Sequence, residues 1–219
     1  MTILHRPCTH PPGTLARVLL LALVLMLAAC SKPKEAALPS GTRVLALGDS
    51  LTAPHGVTPA QAWPTLLATK TGWAVVNAGI SGDTSAGALQ RLPGLLEEHN
   101  PQLVLVTLGG NDMLRRLPQG QTTANLGRML ALAKAHGAKA VLLATPKPSL
   151  AGAAFNNLSA AEFYREVAKE SQVPLIEDAM AEVLSKAELK GDQLHPNAAG
   201  HTLLAEKIFE GLKKIGYAR

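Results

Sequence analysis

Four short blocks, in a fixed order along the chain, hold the residues that could do chemistry: Gly48-Asp49-Ser50-Leu51, Asn77-Ala78-Gly79, Gly109-Gly110-Asn111-Asp112 and Asp192-Gln193-Leu194-His195. They supply a hydroxyl, a glycine N–H, a side-chain amide, and a histidine with a carboxylate three residues before it. Acyl transfer by a serine needs that set: a nucleophile, a base, a group that orients the base, and donors for an oxyanion. Ser50 is the candidate nucleophile, His195 the candidate base and Asp192 its orienter. A carboxylate on Nδ1–H holds the ring with Nε2 towards the serine and stabilises the imidazolium that forms. The spacing sends both side chains to one pocket if the segment is a turn, and Pro196 favours a turn by biasing His195 away from helix. Gly79 and Asn111 are candidate oxyanion donors, with the Ser50 N–H as a third. Glycine allows close backbone approach, and an amide donates without carrying charge.

Each block alone has a plainer reading. Gly-Asp-Ser is common as a turn in which Asp or Ser caps a helix. Gly79 could be an ordinary turn, Asn111 an Asx-type loop residue or cap, and Asp192 to His195 a surface loop before a helix capped by Asn197. The ordered set favours an esterase. The stretch Gly48-Asp49-Ser50-Leu51-Thr52 is not the G-x-S-x-G nucleophile elbow, which disfavours the usual α/β-hydrolase family. Asp49, Asp83 and Asp112 come with no H-E-x-x-H, clustered Cys/His or EF-hand spacing, so they are expected to be caps and loop acceptors, and no metal or other cofactor is expected. His55, His99, His136 and His201 have no partners at telling sequence distances and are expected to be structural or exposed. Residues 82–87 (GDTSAG) lack the Lys of a phosphate loop.

These blocks need a scaffold, and the hydropathy pattern supplies one. Short apolar runs at 44–47, 74–77, 103–107, 140–144 and 174–176 alternate with helical periods at about 61–69, 84–98, 123–136 and 159–171. A last helix, 197–215, carries Leu203, Leu204, Ile208, Phe209 and Leu212 on one stripe. Alternation of this kind predicts βαβ units and an α/β fold with a parallel sheet. Three of the blocks follow strands, where open parallel sheets bind ligands, and five strands in flavodoxin-like order bring all four together. The domain is expected to span 43–219.

The N-terminus reads differently. Arg6 and Arg17 precede 12 uninterrupted apolar residues, Val18 to Ala29, followed by Cys30. That pattern predicts a signal peptide over 1–29 and is short for a membrane span. Leu27-Ala28-Ala29-Cys30 resembles the lipobox of bacterial lipoproteins, which implies lipidation of Cys30 and a tether over 30–42, rich in polar residues and holding two Pro. The expected location is the bacterial cell envelope; Ser31 rather than Asp after the Cys favours the outer membrane in a Gram-negative cell, facing the periplasm. With Cys8 removed and Cys30 acylated, no disulfide pair remains. Loss of Arg6 and Arg17 also lowers the net charge from +5 to +3, and no Lys/Arg-dense stretch with interleaved aromatics supports nucleic-acid binding. Apolar residues make up 47% of the chain and aromatics 3%, so the core is expected to be mostly Leu, Ala and Val.

The blocks resemble those of the SGNH (GDSL-type) hydrolases, through Ser50, Gly79, Asn111 and His195, with Asp192 completing a triad. The resemblance covers 43–219. Ala62-Trp63-Pro64, Ile80-Ser81-Gly82-Asp83-Thr84, Arg91-Leu92-Pro93 and His195-Pro196-Asn197 are similar to the branch that holds thioesterase I/lysophospholipase and bacterial arylesterases. That branch implies a three-layer α/β/α sandwich on a five-stranded parallel flavodoxin-like sheet, no metal, and hydrolysis of small acyl esters or thioesters through an acyl-enzyme, here by a monomeric domain. Alternatives within reach of the same residues are a carbohydrate or peptidoglycan O-acetyl esterase and a non-catalytic lipid-binding lipoprotein. Two places depart from the branch: Ala53-Pro54-His55 stands where a small residue, Gly and Tyr usually follow the nucleophile block, and residues 145–158, expected at the pocket mouth, differ as a whole.

Overall fold

Both faces of the central strands are apolar, so the sheet must be covered twice, and it is. The computed structural model describes residues 37–148 and 157–219. The expected signal peptide 1–29, Cys30, residues 31–36 of the tether and residues 149–156 of the expected pocket mouth lie outside the described residues. Strands β1 (Arg43–Gly48), β2 (Ala74–Gly79), β3 (Leu103–Thr107), β4 (Lys139–Leu143) and β5 (Leu175–Ile176) form one sheet in the order β2-β1-β3-β4-β5. Every pairing is parallel. This is the flavodoxin-like order, with its switch point between β1 and β3.

Seven α-helices connect and cover the strands among the described residues: α1 (Trp63–Thr71), α2 (Ser85–His99), α3 (Gly110–Leu114), α4 (Gln119–Ala135), α5 (Phe163–Ser171), α6 (Ala179–Leu184) and α7 (Ala198–Ile215). Side-chain alternation along the strands sorts them into two layers. Leu45, Leu47, Val104, Val106, Ala140 and Leu142 pack against α2, α4 and α5. Val44, Ala46, Leu103, Leu105, Val141 and Leu143 pack against α1, α6 and α7. The result is the three-layer α/β/α sandwich that the resemblance implies, on the parallel sheet expected from the alternating pattern. No helix among the described residues is long and apolar enough to cross a membrane.

The helices that matter for the site start and stop on side-chain chemistry. The Thr84 hydroxyl accepts the Gly87 N–H at the start of α2, and Asn197 Oδ1 accepts the Gly200 N–H at 3.0 Å at the start of α7. Helix α4 begins at Gln119, four residues before the apolar period does, because its first turn after Pro118 is polar and carries no periodic signal. Helices α3 and α6, of 5 and 6 residues, are too short to display a period. Before β1, the Leu38 N–H donates to the Tyr217 carbonyl at 2.8 Å and the Gly41 N–H to Gly72 at 2.7 Å, so residues 38–42 of the expected tether lie along the domain.

Gly109, between β3 and α3, is a position that only glycine fills comfortably. Its φ is +111°, and a Cβ there would lie 2.5 Å from the Tyr164 hydroxyl. That hydroxyl is fully buried, donates to the Leu108 carbonyl at 2.7 Å and bonds the Thr145 hydroxyl at 2.7 Å. Helix α5 thereby holds the loop that presents Asn111.

Candidate active site

The parallel register sets Gly48 level with Gly79 on one side and with Thr107 on the other. Three loops therefore leave the sheet at one height. After Gly48 the chain turns at once: the Thr52 and Ala53 N–H groups both donate to the Asp49 carbonyl, at 3.1 and 2.9 Å. The turn projects Ser50 from the strand end, nearly buried at 9% exposure. The Ser50 N–H has no acceptor among the described residues. Asp49 sits beneath, 1% exposed, its Oδ1 accepting the Leu51 N–H at 2.9 Å. Burial pushes its carboxyl up to about 6, against the Leu51 N–H and the nearby charge of His195, with Asp83 adding to the rise.

Gly79 is needed for packing as much as for chemistry. A Cβ on it would fall 2.2 Å from the Ala53 nitrogen and 2.7 Å from the Thr52 carbonyl carbon, inside the turn that carries Ser50. Asn77 fixes the same junction, donating to the Thr52 carbonyl at 2.9 Å and accepting the Gly79 N–H at 3.0 Å. Asn111 lies on the other flank, where its Nδ2 donates to the Asp83 carbonyl at 3.0 Å and to Asp49 Oδ2 at 3.3 Å. Two of the three expected oxyanion donors thus rest on protein acceptors, and the Ser50 N–H has none among the described residues.

Around these donors the acidic residues act as acceptors for loops and helix starts, as the sequence suggested. Asp83 pairs with Arg91 at 2.9 Å, and Arg91 Nη2 reaches the Gly48 carbonyl at 3.1 Å. Asp112 accepts the Ser85 N–H at 2.9 Å, the Ser85 hydroxyl and the Thr122 hydroxyl, joining the starts of α2, α3 and α4.

The last block arrives from far along the chain. Residues 189–197 form a closed loop: the Asn197 N–H donates to Leu189 at 2.9 Å, and its Nδ2 donates to the Glu188 and Lys190 carbonyls. Inside the loop, Asp192 Oδ1 accepts the Leu194 and His195 N–H groups at 2.7 and 2.8 Å. Asp192 Oδ2 lies 2.8 Å from His195 Nδ1, and His195 Nε2 lies 2.9 Å from Ser50 Oγ, across 145 residues of chain. Slight burial works to raise the Asp192 carboxyl, but the Leu194 N–H, the His195 ring, the His195 N–H and the His195 charge outweigh it and hold the group down at about 2. Asp192 is therefore ionised beside the ring at any neutral pH. The structure brings Ser50, Gly79, Asn111, Asp192 and His195 to one place; Cys30 lies outside the described residues.

Two supports escaped the sequence reading. Trp63 is fully buried; its indole N–H donates to the Leu51 carbonyl at 3.0 Å and its backbone N–H to His201 Nδ1 at 3.3 Å. It links the turn of Ser50 to the first turn of α7, just after His195. His201 is buried and neutral, its ionisation pushed down to about 4 by burial and by the charge of His195. His55, expected to be without a telling partner, lies against the site: its ring centroid is 3.9 Å from that of His195, tilted by 34°. Only the fold joins it to Asp192, so spacing gave no signal.

Known proteins share these features. A model described as the GDSL-like lipase/acylhydrolase family matches residues 46–203. The chain is 40% identical over 177 residues to an Escherichia coli protein named thioesterase 1/protease 1/lysophospholipase L1, covering 78% of this chain and 84% of the relative. It is 35% identical over 204 residues to an arylesterase of Vibrio mimicus, covering 90% and 98%. Among solved structures, the psychrotrophic esterase EstA from Pseudoalteromonas sp., inhibited by monoethylphosphonate, superposes with a TM-score of 0.68 at 29% identity, covering 79% and 97%.

The two buried ionisable groups oppose each other in acid. Folded Asp49 keeps its proton up to about 6, whereas an unfolded one loses it near 3.8, so between those values stability falls as pH rises. Folded His201 stays neutral down to about 4, whereas an unfolded one gains a proton near 6.5, so in that window stability falls as pH drops. Over the shared window the two contributions cancel. Asp49→Asn is therefore expected to expose the His201 arm, with the unfolding equilibrium shifting by up to about tenfold per pH unit between 6 and 4. Urea denaturation at stepped pH checks this, and adding His201→Gln should flatten the curve again.

Proposed function

We propose that this chain, which belongs to the GDSL-like lipase/acylhydrolase family, hydrolyses acyl esters and thioesters through an acyl-enzyme on Ser50. The observation that carries the proposal is the continuous chain from Ser50 Oγ through His195 to Asp192, with contacts of 2.9 and 2.8 Å. His195 Nε2 takes the serine proton as Oγ attacks the acyl carbonyl, and returns it to the departing alcohol or thiol. Water then attacks the acyl-enzyme with the same histidine as base. Asp192, fixed by its own turn, keeps the Nδ1–H tautomer and faces the imidazolium. The Ser50 N–H, already open, is the first donor to the oxyanion. The Gly79 N–H and the Asn111 amide are the other two donors, exchanging Asn77 Oδ1 and the Asp83 and Asp49 oxygens for the oxyanion as charge develops, each donor being worth about 3–4 kcal/mol in the transition state.

Chain length and head group are set at the mouth. Ile80, next to Gly79, and Leu194, next to His195, expose their side chains beside the site, and an apolar acyl chain is the class of group that would cover them. The relatives named as a thioesterase/lysophospholipase and an arylesterase support acyl esters and thioesters as the substrate class.

We infer, as part of the same proposal, that the domain works in the cell envelope. The apolar run that ends at Cys30 supports lipidation there and a tethered domain. Cys30→Ser is expected to move the protein from the membrane fraction to the soluble fraction; unchanged sedimentation with membranes would remove the anchor.

Hydrolysis of p-nitrophenyl butyrate and of palmitoyl-CoA tests the chemistry. Ser50→Ala should lower kcat/KM by about 10⁴-fold or more, and the Ser50→Ala/His195→Ala double variant should be no worse, because the residues act as a unit. Activity retained in Ser50→Ala overturns the mechanism.

A further inference from the structure

We propose that His55, Asp192 and His195 form a binding site for a divalent transition-metal ion such as Zn²⁺, and that its occupancy switches the esterase off. The inhibition rests on the catalytic reading above; the binding does not. The three side chains each offer a donor atom, and these atoms lie within 4.8 Å of one another. The Asp192 carboxylate is the hub. Its Oδ1 accepts the Leu194 and His195 N–H groups and lies 3.0 Å from His195 Nδ1, whereas Oδ2 lies 2.8 Å from His195 Nδ1 and 3.9 Å from His55 Nε2.

The chemistry of the set suits the ion. Two imidazoles and one carboxylate, with the remaining position left to water, are a common ligand set for zinc. Donors about 2.0–2.1 Å from a tetrahedral zinc stand about 3.3 Å apart, so the observed spacings bracket the requirement. The adjustment falls on His55, whose side chain is 43% exposed at the end of the nucleophile turn. Asp192 is open as well, at 51%, so the ion reaches the site without crossing the substrate pocket. Asp192 is already ionised, as a ligand must be. The site exists because the fold lays His55 over His195, with ring centroids 3.9 Å apart.

Binding there inverts the tautomer that catalysis needs. In the resting site His195 carries its proton on Nδ1, towards Asp192, and offers the Nε2 lone pair to Ser50. A metal takes the Nδ1 lone pair; the Nδ1–H bond breaks, an Nε2–H bond forms through solvent exchange, and the neutral ring loses no proton overall. Nε2 then donates to Ser50 Oγ and accepts nothing from it. The metal also occupies the Asp192 oxygen that would face the imidazolium. The loss is in kcat, with KM for a small ester unchanged.

The test uses Zn²⁺ itself, in a non-chelating buffer, with two independent readouts. Equilibrium dialysis on Ser50→Ala, which keeps all three ligands, should show one Zn²⁺ per chain. Adding His55→Phe, which keeps a ring against His195 but removes its nitrogens, should weaken binding by more than the roughly tenfold that loss of a supporting contact alone costs. Separately, Zn²⁺ should lower kcat of the wild type reversibly, with recovery on EDTA, and His55→Phe should need at least about tenfold more ion for the same fractional loss of its own rate. Dialysis that shows no zinc, or equal affinity with and without His55, overturns the site. Binding that depends on His55 but leaves kcat unchanged overturns the switch and implicates the catalytic reading instead.

Discussion

The parallel register that sets Gly48 beside both Gly79 and Thr107 is the constraint from which the rest of the site follows. Once three strand ends are level, three loops must share one small volume above them, and their sequences are chosen by that crowding. Gly79 has no room for a side chain because the Ser50 turn lies against it. Asn77 donates to the Thr52 carbonyl, and Arg91 to the Gly48 carbonyl, which also accepts the Ile80 N–H. A shift of one residue between β1 and β2 would move Asn77 to the other face and break this junction.

Two carboxylates near one serine are driven apart by their surroundings. Asp49 is buried with few donors, and its ionised form is disfavoured. Asp192 is half open to water and held by two N–H groups and a ring, and its ionised form is favoured. Environment, not residue type, separates the roles: one organises the turn and Asn111 from below, and the other orients the base from the side. Trp63 then couples the halves mechanically, since any displacement of α7 that carries His195 away also strains the indole bond to Leu51.

Much of this was legible in the sequence, for physical reasons that differ by element. The central strands β1, β3 and β4 were visible because burial on both faces demands continuous apolar runs, and the long helices because one apolar stripe repeats every turn. Ser50, Gly79, Asn111, Asp192 and His195 stood out as a set of types in order, and the fold gathers them in one place. What was hidden depends on tertiary contact alone. His55 stacks on His195 only because the nucleophile turn and the 189–197 loop meet, and no spacing records that. Gly79 read as a place for substrate to approach, whereas its first demand is room for the neighbouring turn. Trp63, noticed only as part of a block similar to the branch, and His201, expected to be structural or exposed, lie 138 residues apart and form a brace. The polar first turn of α4 and the short α3 carry no periodicity for a sequence to display.

The most direct test of the central claim, an activated serine held by His195, is a mass spectrum of the purified protein after exposure to a fluorophosphonate probe. A single covalent adduct mapping to Ser50, and absent in His195→Ala, is the expected result. A folded sample that takes up no probe, or one that is labelled equally with and without His195, would contradict it.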